Sequence, residues 1–172
     1  MRKRGSVPII LALLLASTAI LATGCDDDDD PTGVEEDAEF QALSLSGADE
    51  RPDPVTSDGG GSAFFDVDGT TVRFRVEVED IQDVTLAHIH VGGTNVAGPI
   101  VVELFNAGGT PESFTDREVL AEASFTEADI QAADGIVTLD DLLDAMADGT
   151  TYVNVHTVAN PAGEIRGQIE ER

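Results

Sequence analysis

An alternating apolar segment at residues 86–91, LAHIHV, constrains the fold of this chain more than any other feature. The segment is too short for a helix, and a period of two residues places His88 and His90 on one face of a strand, about 7 Å apart. Ala87 and Ile89 occupy the opposite face, which must be the core. The sequence therefore predicts a strand that points two imidazoles away from the core.

The third and last histidine of the sequence lies in a second alternating segment, residues 152–157, YVNVHT. His156 shares one face of this predicted strand with Tyr152 and Asn154, and two valines form the opposite, core-facing side. Two strands that bring three histidines to one surface would form either a metal site or a polar cluster. The pattern leaves both open.

Turn residues divide most of the remaining chain into short strands. The clearest strand covers residues 72–79, where apolar residues alternate with charged ones, among them Arg75. This alternation predicts one core face and one solvated face. The pair Asp68-Gly69 before it is typical of a two-residue hairpin turn. Further strands are predicted at residues 40–46, 62–67, 100–105, 118–125 and 164–170.

Only one region is predicted to be helical. Thr126 with Asp129, and Thr138 with Asp141, have the spacing of a helix-capping box. Apolar residues at helical spacing follow the second box, and Gly149 ends the helix. Seven or eight strands with one short helical crossing predict an all-β fold, an antiparallel Greek-key sandwich or barrel of immunoglobulin-like or superoxide-dismutase-like type. A parallel α/β fold is excluded because helices do not alternate with strands.

The N-terminal segment has the features of an export signal. Three basic residues precede an apolar run that is too short to span a membrane, and LATGC at residues 21–25 resembles a bacterial lipoprotein signal. We expect residues 1–24 to be a lipoprotein signal peptide and Cys25 to be the lipidated anchor of an exported protein of the bacterial cell envelope. Residues 25–37, with five consecutive aspartates, predict an acidic disordered tether, and residues 38–172 form the folded domain.

The charge of the chain excludes some partners. Three of the nine basic residues lie in the predicted leader, so six basic residues face 34 acidic ones in the rest of the chain. Phosphate-rich surfaces would be repelled, which excludes nucleic acid as a partner and limits membrane contact to the lipid anchor. The same field would concentrate cations near the domain. A protein or ligand partner is expected, but its identity is left open.

Several segments together resemble the chordin-type (CHRD) domain over about residues 38–170. The segments that carry this resemblance are residues 40–52 (FQALSLSGADERP), 87–90 (AHIH), 98–101 (GPIV), 152–157 (YVNVHT) and 163–169 (GEIRGQI). The last two are the most specific, and they assign Tyr152, Asn154, Glu164 and Arg166 to the family motif. In animals such domains occur in a secreted binder of growth-factor ligands, and in bacteria they occur in exported proteins. The resemblance thus implies an exported β-domain.

A weaker likeness concerns the histidines. A His-x-His strand followed by a later histidine strand resembles the copper-site layout of copper-zinc superoxide dismutases. A dinuclear site of that kind needs about six histidines, and this chain has three. Full dismutase chemistry is therefore not expected, and no nucleophile or phosphate-binding loop indicates another enzyme.

Two function classes remain. The first is a non-enzymatic, membrane-tethered binding or structural module in which Asn154, Glu164 and Arg166 supply hydrogen bonds to the histidines. The second is a small metalloprotein that binds copper or zinc through His88, His90 and His156, with a carboxylate or water as fourth ligand.

Overall fold

The computed structural model describes residues 33–172. The predicted signal peptide, Cys25 and most of the predicted tether lie outside the described residues. The strands within them are β1 Phe40–Ser46, β2 Gly60–Asp68, β3 Thr71–Glu79, β4 Ile81–Val91, β5 Ile100–Asn106, β6 Glu112–Phe114, β7 Glu118–Thr126, β8 Thr151–Thr157, β9 Ile165–Gln168 and β10 Glu170–Glu171. The helices are α1 Val34–Asp37 and α2 Leu139–Ala147, with 3₁₀ turns at Gly47–Asp49 and Glu127–Asp129.

The strands form one antiparallel sheet that is nearly closed into a barrel. Its order is β5-β4-β8-β9-β1-β2-β3-β7, with β10 paired to β1 and β6 paired to β4. This confirms the predicted all-β antiparallel class. The same order makes β4 and β8 direct neighbours, although about sixty residues of chain separate them, and so it places the two histidine strands side by side.

The inner face of the barrel is aliphatic and aromatic, as the alternation predicts. On β3 the apolar residues are 0–3% exposed, and they pack with inward residues of β2, β4 and β8 into one core. Burial of this kind stabilises a domain by about 25 cal/mol per Å² of apolar surface. The predicted phase of β3 is therefore correct.

The outer face of β3 is less solvated than the alternation predicts. The Arg75 side chain is 9% exposed and makes ion pairs with Glu35, Glu77 and Glu122. Glu35 comes from α1 and Glu122 from β7, so two other elements cover this guanidinium. The prediction that Arg75 lies on an open charged face is wrong.

The structure also differs from the expected tether. Residues 34–37 form the short helix α1, which packs on β2 and β3, and Val34 is only 2% exposed. A single apolar side chain at position 34, after the run of aspartates, gives this segment something to bury. The folded part thus includes residues 34–37, ahead of the predicted boundary at residue 38.

The predicted hairpin turn shifts by one residue. Asp68 pairs with Thr71, so the hairpin loop consists of Gly69 and Thr70, one residue later than expected. Gly69 takes a φ of 63°, which glycine adopts without steric cost.

Both predicted capping boxes are present, but only the second opens an α-helix. The box at Thr126 opens a three-residue 3₁₀ turn, whereas Thr138 and Asp141 cap α2. Leu142 and Met146 on α2 are fully buried. Within residues 33–172, no helix is long and apolar enough to cross a membrane.

Candidate metal centre

The three histidines converge. The register of β4 and β8 places His88 opposite Asn154 and His90 opposite Tyr152, and His156 lies one pair further along, opposite Leu86. All six side chains therefore lie on one face of the β4–β8 pair, and the three imidazoles are among them. Each ring offers a nitrogen that lies within 4.8 Å of the other two. The sequence-based prediction that His88, His90 and His156 meet at one surface is confirmed by this geometry.

The imidazoles point away from the aliphatic core, yet they are not at the solvent surface. His88, His90 and His156 are 4%, 7% and 6% exposed. Gly98, at the end of the loop that follows β4 (residues 92–98, the covering loop), contacts His90, and Pro161, in the turn after β8, contacts His156. The two histidine strands are thus buried on both faces, which alternation alone does not predict.

Hydrogen bonds fix the tautomer of His90. Its Nδ1 lies 2.9 Å from the carbonyl oxygen of Gly98, which can only accept, so Nδ1 carries the proton. Nε2 then presents an unprotonated lone pair, and this buried nitrogen has no hydrogen-bond partner. Buried polar atoms in native folds are nearly always paired, so this nitrogen is available to bind a water molecule or an ion.

The other two rings contact each other. Nδ1 of His156 lies 3.3 Å from the carbonyl of Pro161 and donates to it, which leaves Nε2 of His156 as an acceptor. Nδ1 of His88 lies 3.0 Å from that Nε2 and donates its proton there. The proton of His88 therefore sits between two nitrogens that both face the centre of the cluster.

Burial keeps the cluster uncharged. Burial lowers the pKa of His88 to about 4, with the charge of His90 as a smaller cause. The pKa of His156 is lowered to about 4, first by burial and then by the charges of His88 and His90. Burial also lowers the pKa of His90, against its bond to Gly98. At neutral pH all three rings are neutral imidazoles, the form that binds transition metals.

The covering loop is held by side chains of β8 and β9. The Arg166 guanidinium donates to the carbonyls of Val96 and Gly93, and Gln168 donates to that of Gly92. The Tyr152 hydroxyl accepts from the amide of Gly98. These bonds fix the position of the loop, and with it the carbonyl that sets the His90 tautomer.

Close packing of Gly98 explains why this position of the loop is glycine. A Cβ on Gly98 would overlap the carbonyl oxygen of Val91. Any side chain there would push the loop away from β4 and move the acceptor of His90.

A stack of three flat groups runs outward from the cluster. The Tyr152 ring lies parallel to that of His90, 4.9 Å between centroids, and the Arg166 guanidinium carbon lies 3.4 Å from the Tyr152 centroid. Arg166 is 2% exposed. Arg166 therefore makes a cation–π contact with Tyr152, and a permanent positive charge is buried near the histidines.

The other two predicted motif residues do not serve the histidines. Glu164 accepts hydrogen bonds from Thr157, Ser57 and Asn160, so it ties the turn after β8 to the loop before β2. Asn154 donates to Glu50 at 3.4 Å. The hydrogen-bond partners of the rings are instead the carbonyls of Gly98 and Pro161.

Glu50 is a site residue that sequence reasoning missed, although it lies in the family motif. It is 3% exposed, and burial raises its pKa to about 7, against the nearby charge of Arg166. Glu50 Oε1 and Asn154 Oδ1 are both buried and lack partners. A Cβ on Gly163 would lie 2.5 Å from the Asn154 amide and 2.7 Å from Glu50, so glycine is required where this pair packs.

Fold and site together define an antiparallel β-barrel domain with a buried, neutral cluster of three histidines. The loop beside this cluster, residues 92–98, is held by side chains of β8 and β9. The model of the CHRD domain family matches residues 41–169, well over half of the chain. The protein therefore belongs to the CHRD domain family, as the sequence motifs predict. No curated protein and no solved structure shows a significant match to the chain. The family supports a single structural or binding domain.

Proposed function

We propose that this protein is an exported, non-enzymatic lipoprotein of the bacterial cell envelope whose CHRD domain binds a transition metal ion, copper or zinc. His88, His90 and His156 are the ligands. The lipidated Cys25 anchors the chain to the membrane, and the acidic residues that follow hold the domain off the surface. Nucleic acid is not a partner, because the domain is strongly acidic.

One observation carries the metal proposal. The Nε2 lone pair of His90 is buried, has no partner, and faces two further imidazoles whose ligand nitrogens lie within 4.8 Å. A cluster of rings that served only to hydrogen-bond would satisfy this atom. Neutral imidazole is a good ligand for copper and for zinc, with bonds of about 2.0–2.1 Å.

The hydrogen bonds made by the other ring nitrogens also favour metal binding. Histidines that bind metals commonly donate their other ring nitrogen to a carbonyl or carboxylate, which fixes the ring and its tautomer. His90 donates to Gly98 and His156 donates to Pro161 in this way. Both arrangements are present in this structure.

The test is metal binding by the full mature domain, purified without a histidine tag and stripped with a chelator. Zinc or copper at a free concentration of 100 times the dissociation constant should raise the free energy of unfolding by about 2.7 kcal/mol. His156→Ala should abolish most of this gain. Val158→Ala is the matched control, because this neighbouring side chain is 59% exposed and its loss should keep the full gain.

A different outcome would favour the structural alternative. If neither metal changes the melting temperature of the folded wild-type protein, the histidines are a hydrogen-bonded element of the barrel. The domain would then act through protein or ligand contacts alone.

A further inference from the structure

The ligand set of this site carries no negative charge. Among residues 33–172, the metal-ligating side chains that converge here are three imidazoles, with no carboxylate or thiolate in the group. The amide of Asn154, which lies opposite His88 on β8, would add only a neutral oxygen. A bound ion would therefore keep its full charge inside a buried site.

A second positive charge is already present. Arg166 is buried, its guanidinium carbon lies 3.4 Å from the Tyr152 ring centroid, and Tyr152 in turn stacks on His90 at 4.9 Å. The desolvation cost of an ion grows with the square of its charge, so a divalent ion costs about four times as much as a monovalent one. The repulsion between the ion and the Arg166 guanidinium is also twice as large for a divalent ion as for a monovalent one. Both effects favour the ion of lower charge.

Coordination number acts in the same direction. Zinc in proteins is almost always four-coordinate, and cupric copper prefers four or more ligands in a tetragonal plane. This site supplies three nitrogens on rings that are only 4–7% exposed. The loop beside His90, residues 92–98, is held by Arg166, Gln168 and Tyr152, which restricts the entry of a solvent ligand from that side.

The geometry points to a site selective for cuprous copper over zinc and cupric copper, with Arg166 as the residue that sets this preference by its charge. This inference rests on the proposed function, since it requires the three histidines to bind metal. The inference adds the oxidation state of the bound ion. It also gives the charge of Arg166 a role in selecting that ion, in addition to the hydrogen bonds of Arg166 to the loop.

Competition titrations test this selectivity on the chelator-stripped domain. Cu(I), kept reduced by ascorbate under anaerobic conditions, is titrated against a colorimetric Cu(I) chelator, and Zn(II) against a zinc indicator. Cu(I) should bind at least about 100-fold more tightly than Zn(II) at neutral pH. Equal or tighter zinc binding would overturn the inference and leave the proposed function standing. If neither ion binds, the proposed function itself fails.

Two variants separate the charge of Arg166 from its hydrogen bonds. Arg166→Gln removes the charge and should reduce the preference for Cu(I) over Zn(II) about tenfold, whereas Arg166→Lys keeps the charge and should keep the ratio. Both variants lose the two-carbonyl contact to the loop, so loosening of the loop affects them alike. An equal shift of the ratio in both would show that charge does not select the ion.

A third variant keeps the test decisive if the Arg166 variants fail to fold. Glu50→Gln removes a carboxyl group that, when ionised, partly offsets the charge of Arg166. At pH 8 it should increase the preference for Cu(I) over Zn(II), with unchanged circular dichroism. A decrease of that preference would contradict the electrostatic argument.

Discussion

Nδ1 of His88 lies 3.0 Å from Nε2 of His156, and the proton between them belongs to His88. A metal held by both nitrogens would take the place of that proton. His88 would then carry its proton on Nε2, whereas His90 and His156 would keep theirs on Nδ1. We predict this single change of tautomer on metal binding, measured as ¹⁵N chemical shifts of the three imidazoles with and without zinc or Cu(I).

His90 provides the internal control for this measurement. Its Nδ1–H bond to Gly98 exists without metal, so its tautomer should stay the same while its Nε2 signal shifts. Signals of all three rings that do not respond to saturating metal would contradict the site.

Two substitutions on β3 should destabilise the domain for different reasons. Val76→Asp buries an unpaired carboxylate in the core and should destabilise the domain by about 3–5 kcal/mol. Arg75→Asp should cost on the order of 3 kcal/mol, because it places a carboxylate beside Glu35, Glu77 and Glu122. Denaturant midpoints measure both.

The matched control on the same strand is Glu79→Gln, whose side chain is 41% exposed. Its effect should stay within about 0.5 kcal/mol. If Arg75→Asp were as mild as this control, the ion-pair network around Arg75 would contribute nothing measurable.

The face on which each strand residue lies could be predicted from the sequence, because successive side chains of a strand point to opposite faces. Once Ile89 and Val155 face the core, His88, His90 and His156 must point the other way. That β4 and β8 are neighbours does not follow from alternation, since any strands could pair. The CHRD motifs supplied that expectation.

What the sequence could not predict is the burial of the second face. His90 is bonded to Gly98 in the loop of residues 92–98, and that loop is held by Arg166 and Gln168, about seventy residues later in the chain. Arg75 is covered in the same way by α1 and β7. Such burial depends on contacts between distant segments, and no local pattern of polarity reports it. Glu50 was missed for this reason, because a lone glutamate in a loop normally lies in solvent.

The anchor prediction concerns Cys25, which lies outside the described residues. Cys25→Ser should abolish labelling with a radioactive or clickable fatty acid and should shift the protein from the membrane fraction to the soluble fraction, or leave it unprocessed. Cys25 is the single cysteine of the chain, so no other thiol can substitute. Lipid label on the variant would refute the lipoprotein assignment.

The metal-free domain should lose stability between about pH 6.5 and pH 4 as the pH falls. His88 and His156 have pKa values of about 4 in the folded protein and about 6.5 when unfolded. The unfolded chain therefore binds more protons in this window, and the free energy of unfolding decreases by several kcal/mol. Guanidinium midpoints in the presence of a chelator measure it, and His156→Phe should reduce the slope.

Glu50 should change the free energy of unfolding in the opposite direction, over an overlapping range of pH. Its pKa is about 7 in the fold and about 4.5 in the unfolded chain, so the folded protein retains a proton that the unfolded chain releases. The stability that protonated Glu50 contributes is complete below about pH 4.5 and is lost as the pH rises through 7. Glu50→Gln removes this loss, so its stability relative to wild type should increase by about 2–3 kcal/mol between pH 4.5 and pH 8. A constant difference between the two proteins across this range would show that Glu50 is ionised normally and is solvated.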